Sequence, residues 1–188
     1  ALVHERYWSK PRGPELACSE AEAAHELRRL LEQAVRSRMV SDVPVGAFLS
    51  GGIDSSTVVA LMATQSTRRI KTFSIGFPDS SDSELPWARL VAERYQTDHH
   101  EAIVTPDIAA IVERSVRHHG EPFADSSAVA TYCLSQMTKE HVTVALSGDA
   151  ADEAFAGYTR YATAGLAHLH DALPGPLRGP YRAASLAV

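Results

Sequence analysis

The chain has 188 residues, enough to bury one good hydrophobic core, and it reads as a single domain or as part of a larger one. A formal net charge of -5 with no basic run excludes a nucleic-acid surface, which needs clustered lysine and arginine. No apolar run is long enough to span a bilayer, and the first residues, with His4, Glu5 and Arg6, lack a signal-peptide core, so the sequence predicts a soluble, cytoplasmic protein without a membrane partner.

In chain order, Ser19 followed by Glu22 predicts a capping box, and Leu27, Leu30, Leu31, Ala34 and Val35 give the apolar face of a helix ending near Val40. A strand over 45–49 follows, then a helix over 55–65, a strand over 70–76, a helix over 83–95 and a strand over 99–104. Thr105-Pro106 reads as the cap and first turn of a helix with Ile108, Ile111 and Val112 on one face. A helix over 127–139, a short apolar strand over 142–146 and a helix over 152–168 complete the pattern, and Pro174-Gly175-Pro176 and Gly179-Pro180 break regular structure after it. Strands alternating with helices, and apolar enough to be covered on both faces, predict an α/β fold: a doubly wound parallel sheet with helices on both faces.

Cysteine and histidine add little chemistry. With only Cys18 and Cys133 present, neither a disulfide framework nor a structural metal is expected, and Cys133 reads as a buried helix residue. His99-His100 and His118-His119 are adjacent pairs whose side chains diverge on strand or helix, so solvated or hydrogen-bonded histidines are expected rather than metal ligands.

The most informative stretch is the loop after the first strand, Ser50-Gly51-Gly52-Ile53-Asp54-Ser55-Ser56. Glycines at 51 and 52 let backbone approach a ligand, while hydroxyls and the N–H groups opening the next helix face an anion. A triphosphate fits such a loop. It lacks the Gly-Lys-Ser/Thr ending of a Walker A motif, and Asp54 places a carboxylate beside phosphate, which requires a bridging metal, magnesium by preference. Ser147-Gly148-Asp149-Ala150-Ala151-Asp152-Glu153 forms a second acidic loop directly after a strand. In a doubly wound sheet both loops fall at the carboxyl ends of the strands, so they can share one nucleotide. Asp125-Ser126-Ser127 reads equally as a helix cap.

Taken together with Val43-Pro44-Val45-Gly46-Ala47-Phe48-Leu49, Thr72-Phe73-Ser74-Ile75-Gly76-Phe77, Asp98-His99-His100-Glu101, Glu121-Pro122-Phe123-Ala124-Asp125 and Gly157-Tyr158, these loops resemble successive blocks of the synthase domain of the glutamine-hydrolysing asparagine synthetase family. The resemblance runs from Tyr7 to Tyr161. It implies an adenine nucleotide alpha-hydrolase-like, Rossmann-like fold and an ATP pyrophosphatase chemistry: activation of an amino-acid carboxylate, aspartate first, as an acyl-adenylate, followed by attack of ammonia. A lactam-forming or otherwise amidating relative, and a nucleotide-binding module without turnover, remain open alternatives.

Carried over position by position, the resemblance implies nucleotide binding by Phe48, Leu49, Ser50, Gly51, Gly52, Asp54, Ser55, Ser56, Ile75, Ser147 and Gly148. It implies Asp54 and Asp152 as magnesium ligands, Asp149 as the catalytic acid near the reacting phosphate, and Glu121, Asp125 and Ser127 on the amino-acid side. The chain departs from the family pattern at Ala150, where glycine is usual, and at Ala154, where a larger apolar residue is usual. If position 150 needs positive φ, alanine there costs about 1 kcal/mol or more. The resemblance also implies residues 1–18 as a linker from an amidotransferase (glutaminase) domain, 19–170 as the ATP pyrophosphatase domain, shortened at its far side, and 171–188 as a Pro/Gly-rich extension. The family's late transition-state lysine has no counterpart, since the lysines are Lys10, Lys71 and Lys139, and only Arg160 stands near the expected place. Binding without completed catalysis is therefore expected of the isolated chain.

Overall fold

The computed structural model describes residues 3–9, 17–78, 83–122, 125 and 127–161. The elements run α1 (Glu20–Arg38), β1 (Val45–Phe48), α2 (Ile53–Gln65), β2 (Lys71–Gly76), α3 (Leu85–Tyr95), β3 (Asp98–Ile103), α4 (Ile108–His119), α5 (Ser127–Thr138), β4 (Val144–Leu146) and α6 (Ala151–Phe155). The strands form one parallel sheet in the order β3-β2-β1-β4. The chain steps outward from β1 to β3 and then returns to lay β4 on the other side of β1. That return makes the crevice between β1 and β4 the point where strand order reverses.

Strand parity sends alternate side chains to opposite faces. Ala47 of β1, Leu49 just beyond it and Ile70 just before β2 meet Val59 and Met62 of α2 and Ala88 and Ala92 of α3 in one buried core. On the opposite face Phe73 is fully buried, its ring stacked on His100 at 5.4 Å and near His141 at 5.6 Å, with α5 packed over β2 and α4 packed on α5. The sheet is therefore covered on both faces, as expected of a doubly wound α/β protein. His99 takes the other side from His100: its Nδ1 lies 2.9 Å from Thr72 Oγ1, which is itself 2.8 Å from Thr97 Oγ1.

Local signals placed most boundaries. The Ser19 hydroxyl accepts the Glu22 N–H at 3.3 Å, and Glu22 Oε2 accepts the Ser19 N–H at 2.8 Å, closing the capping box. The face of α1 is narrower than its apolar pattern: Val35 is buried and Leu27 and Leu31 half-buried, whereas Leu30 and Ala34 face solvent. α1 packs on the single helix α2, so only residues four apart, in one stripe, are covered.

Other expectations need correction. The cap expected at Thr105-Pro106 sits at Asp107, whose Oδ1 accepts the Ala110 N–H at 3.1 Å. Of the face Ile108, Ile111 and Val112, only Ile111 is buried, because α4 lies on α5 and presents one line of side chains to it. β4 begins two residues later than the apolar run, since the Val142 N–H bonds Thr138 O at 3.0 Å and closes the end of α5. Cys133 is half-buried rather than buried. The helix expected over 152–168 is interrupted after Phe155, where Ala156 turns left-handed with φ 57° and the Gly157 N–H bonds Asp152 O at 3.0 Å, and helical backbone resumes over 159–161. The remainder of that helix beyond 161, the Pro/Gly-rich extension, residues 10–16 of the linker, and Phe123, Ala124 and Ser126 lie outside the described residues.

Candidate functional site

Two loops meet at the strand-order reversal. The loop after β1 carries Ser50 to Gly52 into α2, and the loop after β4 carries Ser147 to Ala150 into α6. A Cβ on Gly148 would stand 2.7 Å from the Ser55 nitrogen and 2.9 Å from the Asp54 carbonyl carbon, so this glycine is what lets the second loop lie directly on the first turn of α2. Gly51 is tied elsewhere. Its φ is 88°, and a Cβ there would come within 2.5 Å of Trp87 Cβ and the Ala88 nitrogen, so the loop rests against the start of α3.

Hydroxyls hold the loop's shape. Ser55 Oγ accepts the Ser50 N–H at 3.2 Å, lies 3.0 Å from Ser50 Oγ and donates to Gly52 O at 3.3 Å, while the Gly52 N–H donates to Ser50 Oγ at 3.2 Å. Buried Ser74 Oγ donates to Leu49 O, tying the end of β1 to β2. α2 itself starts at Gly52 without a side-chain cap, which leaves its first-turn N–H groups directed at whatever occupies the loop.

Between the loops opens a cavity of about 640 Å³, a volume in the range of small-molecule and cofactor sites. Phe48, Leu49, Ser50, Asp54, Ser55, Ile75, Ser147, Gly148, Asp149 and Asp152, all singled out from the sequence, line it together with Asp125 and Ser127 from the start of α5. Gly51, Gly52, Ser56 and Glu121 do not. Ser56 Oγ is buried without a hydrogen-bond partner, and Glu121 is exposed. Ser74, Glu84, Thr131, Glu153 and Tyr158 line the cavity without having been assigned a role. Ser127, Ala130, Thr131 and Leu134 recur at helical spacing on one face of α5, a signal present in the sequence, whereas Glu84 reaches the cavity only because α3 starts beside the Ser50 loop.

The electrostatics are one-sided. Asp54, Glu84, Asp125, Asp149, Asp152 and Glu153 all line the cavity, and no lysine or arginine does among the described residues. Hydrogen bonding holds two of these carboxyls below their usual range: the Ser127 backbone N–H acts on Asp125, and the Tyr158 hydroxyl on Glu153. The same contact pushes the Tyr158 phenol up. Ser147 Oγ donates to Asp149 Oδ2 at 2.9 Å. Among the described residues no group of three or more His, Cys, Asp or Glu side chains is arranged to hold a metal unaided, so any cation here shares its coordination with a ligand's own oxygens.

A doubly wound α/β chain with its cavity at the strand-order reversal belongs to the class that binds ligands beyond the carboxyl ends of parallel strands. A family model described as asparagine synthase matches residues 26–186, and the chain belongs to the asparagine synthase family. A protein of Methanocaldococcus jannaschii is 45% identical over 135 residues, which cover 71% of this chain and 26% of that one. Glutamine-hydrolyzing asparagine synthetase 1 of Bacillus subtilis is 39% identical, covering 76% and 22%, and asparagine synthetase B of Escherichia coli is 34% identical, covering 71% and 27%. The chain thus spans about a quarter of the length of these relatives. Among solved structures it is similar to an NH3-dependent NAD synthetase from Campylobacter jejuni, with a TM-score of 0.45 and 15% identity, covering 75% of this chain and 61% of that one. No helix among the described residues is long and apolar enough to cross a membrane.

Proposed function

We propose that this chain is the ATP-using, carboxylate-activating part of an asparagine-forming ligase. The observation that carries the reading is the meeting of the two family loops, Gly148 against Asp54 and Ser55, around one acidic cavity at the strand-order reversal. A carboxylate oxygen of aspartate attacks the α-phosphorus of ATP, the bond to the β-phosphate oxygen breaks and pyrophosphate leaves. Ammonia then attacks the acyl carbon, the bond to AMP breaks, and the nitrogen loses a proton to give the amide. The Bacillus subtilis relative, named as glutamine-hydrolyzing, supports glutamine as the source of that ammonia, through a glutaminase domain.

The chain's own groups divide the work. Ser50, Ser55 and the uncapped start of α2 cradle the β- and γ-phosphates, and Phe48, Leu49, Ile75, Ser147 and Gly148 hold adenosine. Asp125 and Ser127 orient the amino acid from across the cavity, and Asp149 stands beside the reacting phosphate. Two carboxylates in the first turns of α2 and α6, Asp54 and Asp152, suit a hard cation that completes its shell with phosphate oxygens, and a cavity so rich in carboxylates needs one before it accepts a polyanion. Magnesium, when bound, neutralises the charge that grows on the departing pyrophosphate. Alignment of carboxylate and α-phosphate is the remaining contribution of the fold.

Exchange of labelled pyrophosphate into ATP by the complete protein tests the substrate. It should depend on aspartate and fall by about a hundredfold in Asp54→Ala and Asp152→Ala. Exchange indifferent to aspartate overturns the substrate assignment. Unchanged magnesium-ATP affinity in both single variants overturns the metal ligands.

A further inference from the structure

The one-turn helix α6 is held under unusual constraint. It has five residues, too few to persist on helical hydrogen bonds alone, and none of them is buried. Both flanks are left-handed without glycine: Ala150 has φ 68° and Ala156 φ 57°. In that conformation the β-carbon crowds the backbone, and it persists only where neighbouring contacts enforce it. Tyr158 supplies such a contact, its hydroxyl donating to Glu153 Oε1 at 2.8 Å. The tyrosine is braced in turn, with the Arg160 guanidinium 4.2 Å from its ring centre and the Tyr161 ring at 5.8 Å.

The same segment sets the direction of Asp152. A Cβ on Gly157 would overlap Asp152 Oδ1, so the carboxylate rests directly against the backbone of the residue before Tyr158. Moving 157–158 moves the support of that carboxylate. We propose that Tyr158 is a positioning residue: its bond to Glu153 latches α6 and thereby holds the Asp152 carboxylate toward the cavity. The latch deepens the reading given above and rests on Asp152 as a magnesium ligand.

Calorimetric titration of the full chain with ATP in excess magnesium tests it. Tyr158→Phe and Glu153→Ala should each weaken binding by about tenfold, the scale of one hydrogen bond to a charged group. The double variant should be no weaker than either single, because both remove the same contact. Glu153→Gln, which keeps an acceptor for the tyrosine hydroxyl, should restore most of the lost affinity. Tyr158→Phe removes one oxygen from a half-buried side chain and leaves the sheet core untouched. Binding by the wild-type chain with Tyr158→Phe unchanged overturns the latch alone. Glu153→Gln as damaging as Glu153→Ala also overturns it, since Glu153 then acts through its charge. No binding by the wild-type chain overturns the reading of the cavity and the latch with it.

Discussion

Ala150 shows what a single side chain costs in a tight loop, because its φ of 68° falls in the region where alanine is disfavoured and glycine is at ease. The family comparison of motifs anticipates glycine there, and the backbone gives the reason. Ala150→Gly removes a steric cost of about 1–2 kcal/mol, but it also frees the unfolded chain, which takes back about 0.4–1 kcal/mol. The net expectation is a gain of about 1 kcal/mol, read as a higher urea midpoint at unchanged slope. A lower midpoint would show that the unfolded-state entropy outweighs the strain. Gly148 is the opposite case, since packing on Asp54 and Ser55 rather than its dihedral requires the missing Cβ.

At the level of elements, hydrogen-bonding ends were easier to read than packed faces. The Ser19 and Glu22 pair states its own geometry through a three-residue spacing, and α1 begins where it says. Ser19→Ala should therefore cost about 1 kcal/mol, measured by chemical denaturation, provided α1 melts with the core through Val35. No loss of stability would mean that α1 frays independently of the sheet. By contrast, Ile108 and Val112 carry the right period yet face solvent, because which line of α4 is covered depends on where α5 lies. The helical pattern after 152 breaks at a turn that its side chains do not announce: the left-handed residue is Ala156, with φ 57°, and the Gly157 N–H bonds back to Asp152 O.

For the molecule as a whole, the parallel sheet half-buries a titratable group that does not line the cavity. His99 sits beneath α3 in contact with Thr72, and burial pushes its imidazole below the ordinary 6.5, although Glu101, 3.8 Å away, pulls the other way. Since the folded ring resists the proton, the unfolded chain takes it up first as pH falls. The contribution of neutral His99 is thus complete above pH 6.5 and is lost as pH drops from there toward the lower folded value. Between about pH 7.5 and about pH 5.5, thermal midpoints should fall more steeply for the wild type than for His99→Gln. Parallel slopes would show that the burial of His99 does not govern this window. The bidentate Arg89–Glu101 pair, at 2.8 and 2.6 Å, is exposed at Arg89 and contributes little to that difference.

The alternation of strand and helix, the glycine loop after the first strand and the acidic loop after the last were legible along the chain because each is a local pattern of period, turn chemistry or charge. So was their meeting, once a doubly wound sheet was assumed, since such sheets bring strand ends to one edge. What no window of sequence contains is the order β3-β2-β1-β4 itself, the use of Gly51 against α3, the arrival of Glu84 at the cavity, and the seating of Gly148 on the first turn of α2. Those depend on contacts between segments distant along the chain or on backbone angles set by them, and such contacts exist only after the sheet has closed and chosen which faces its helices cover.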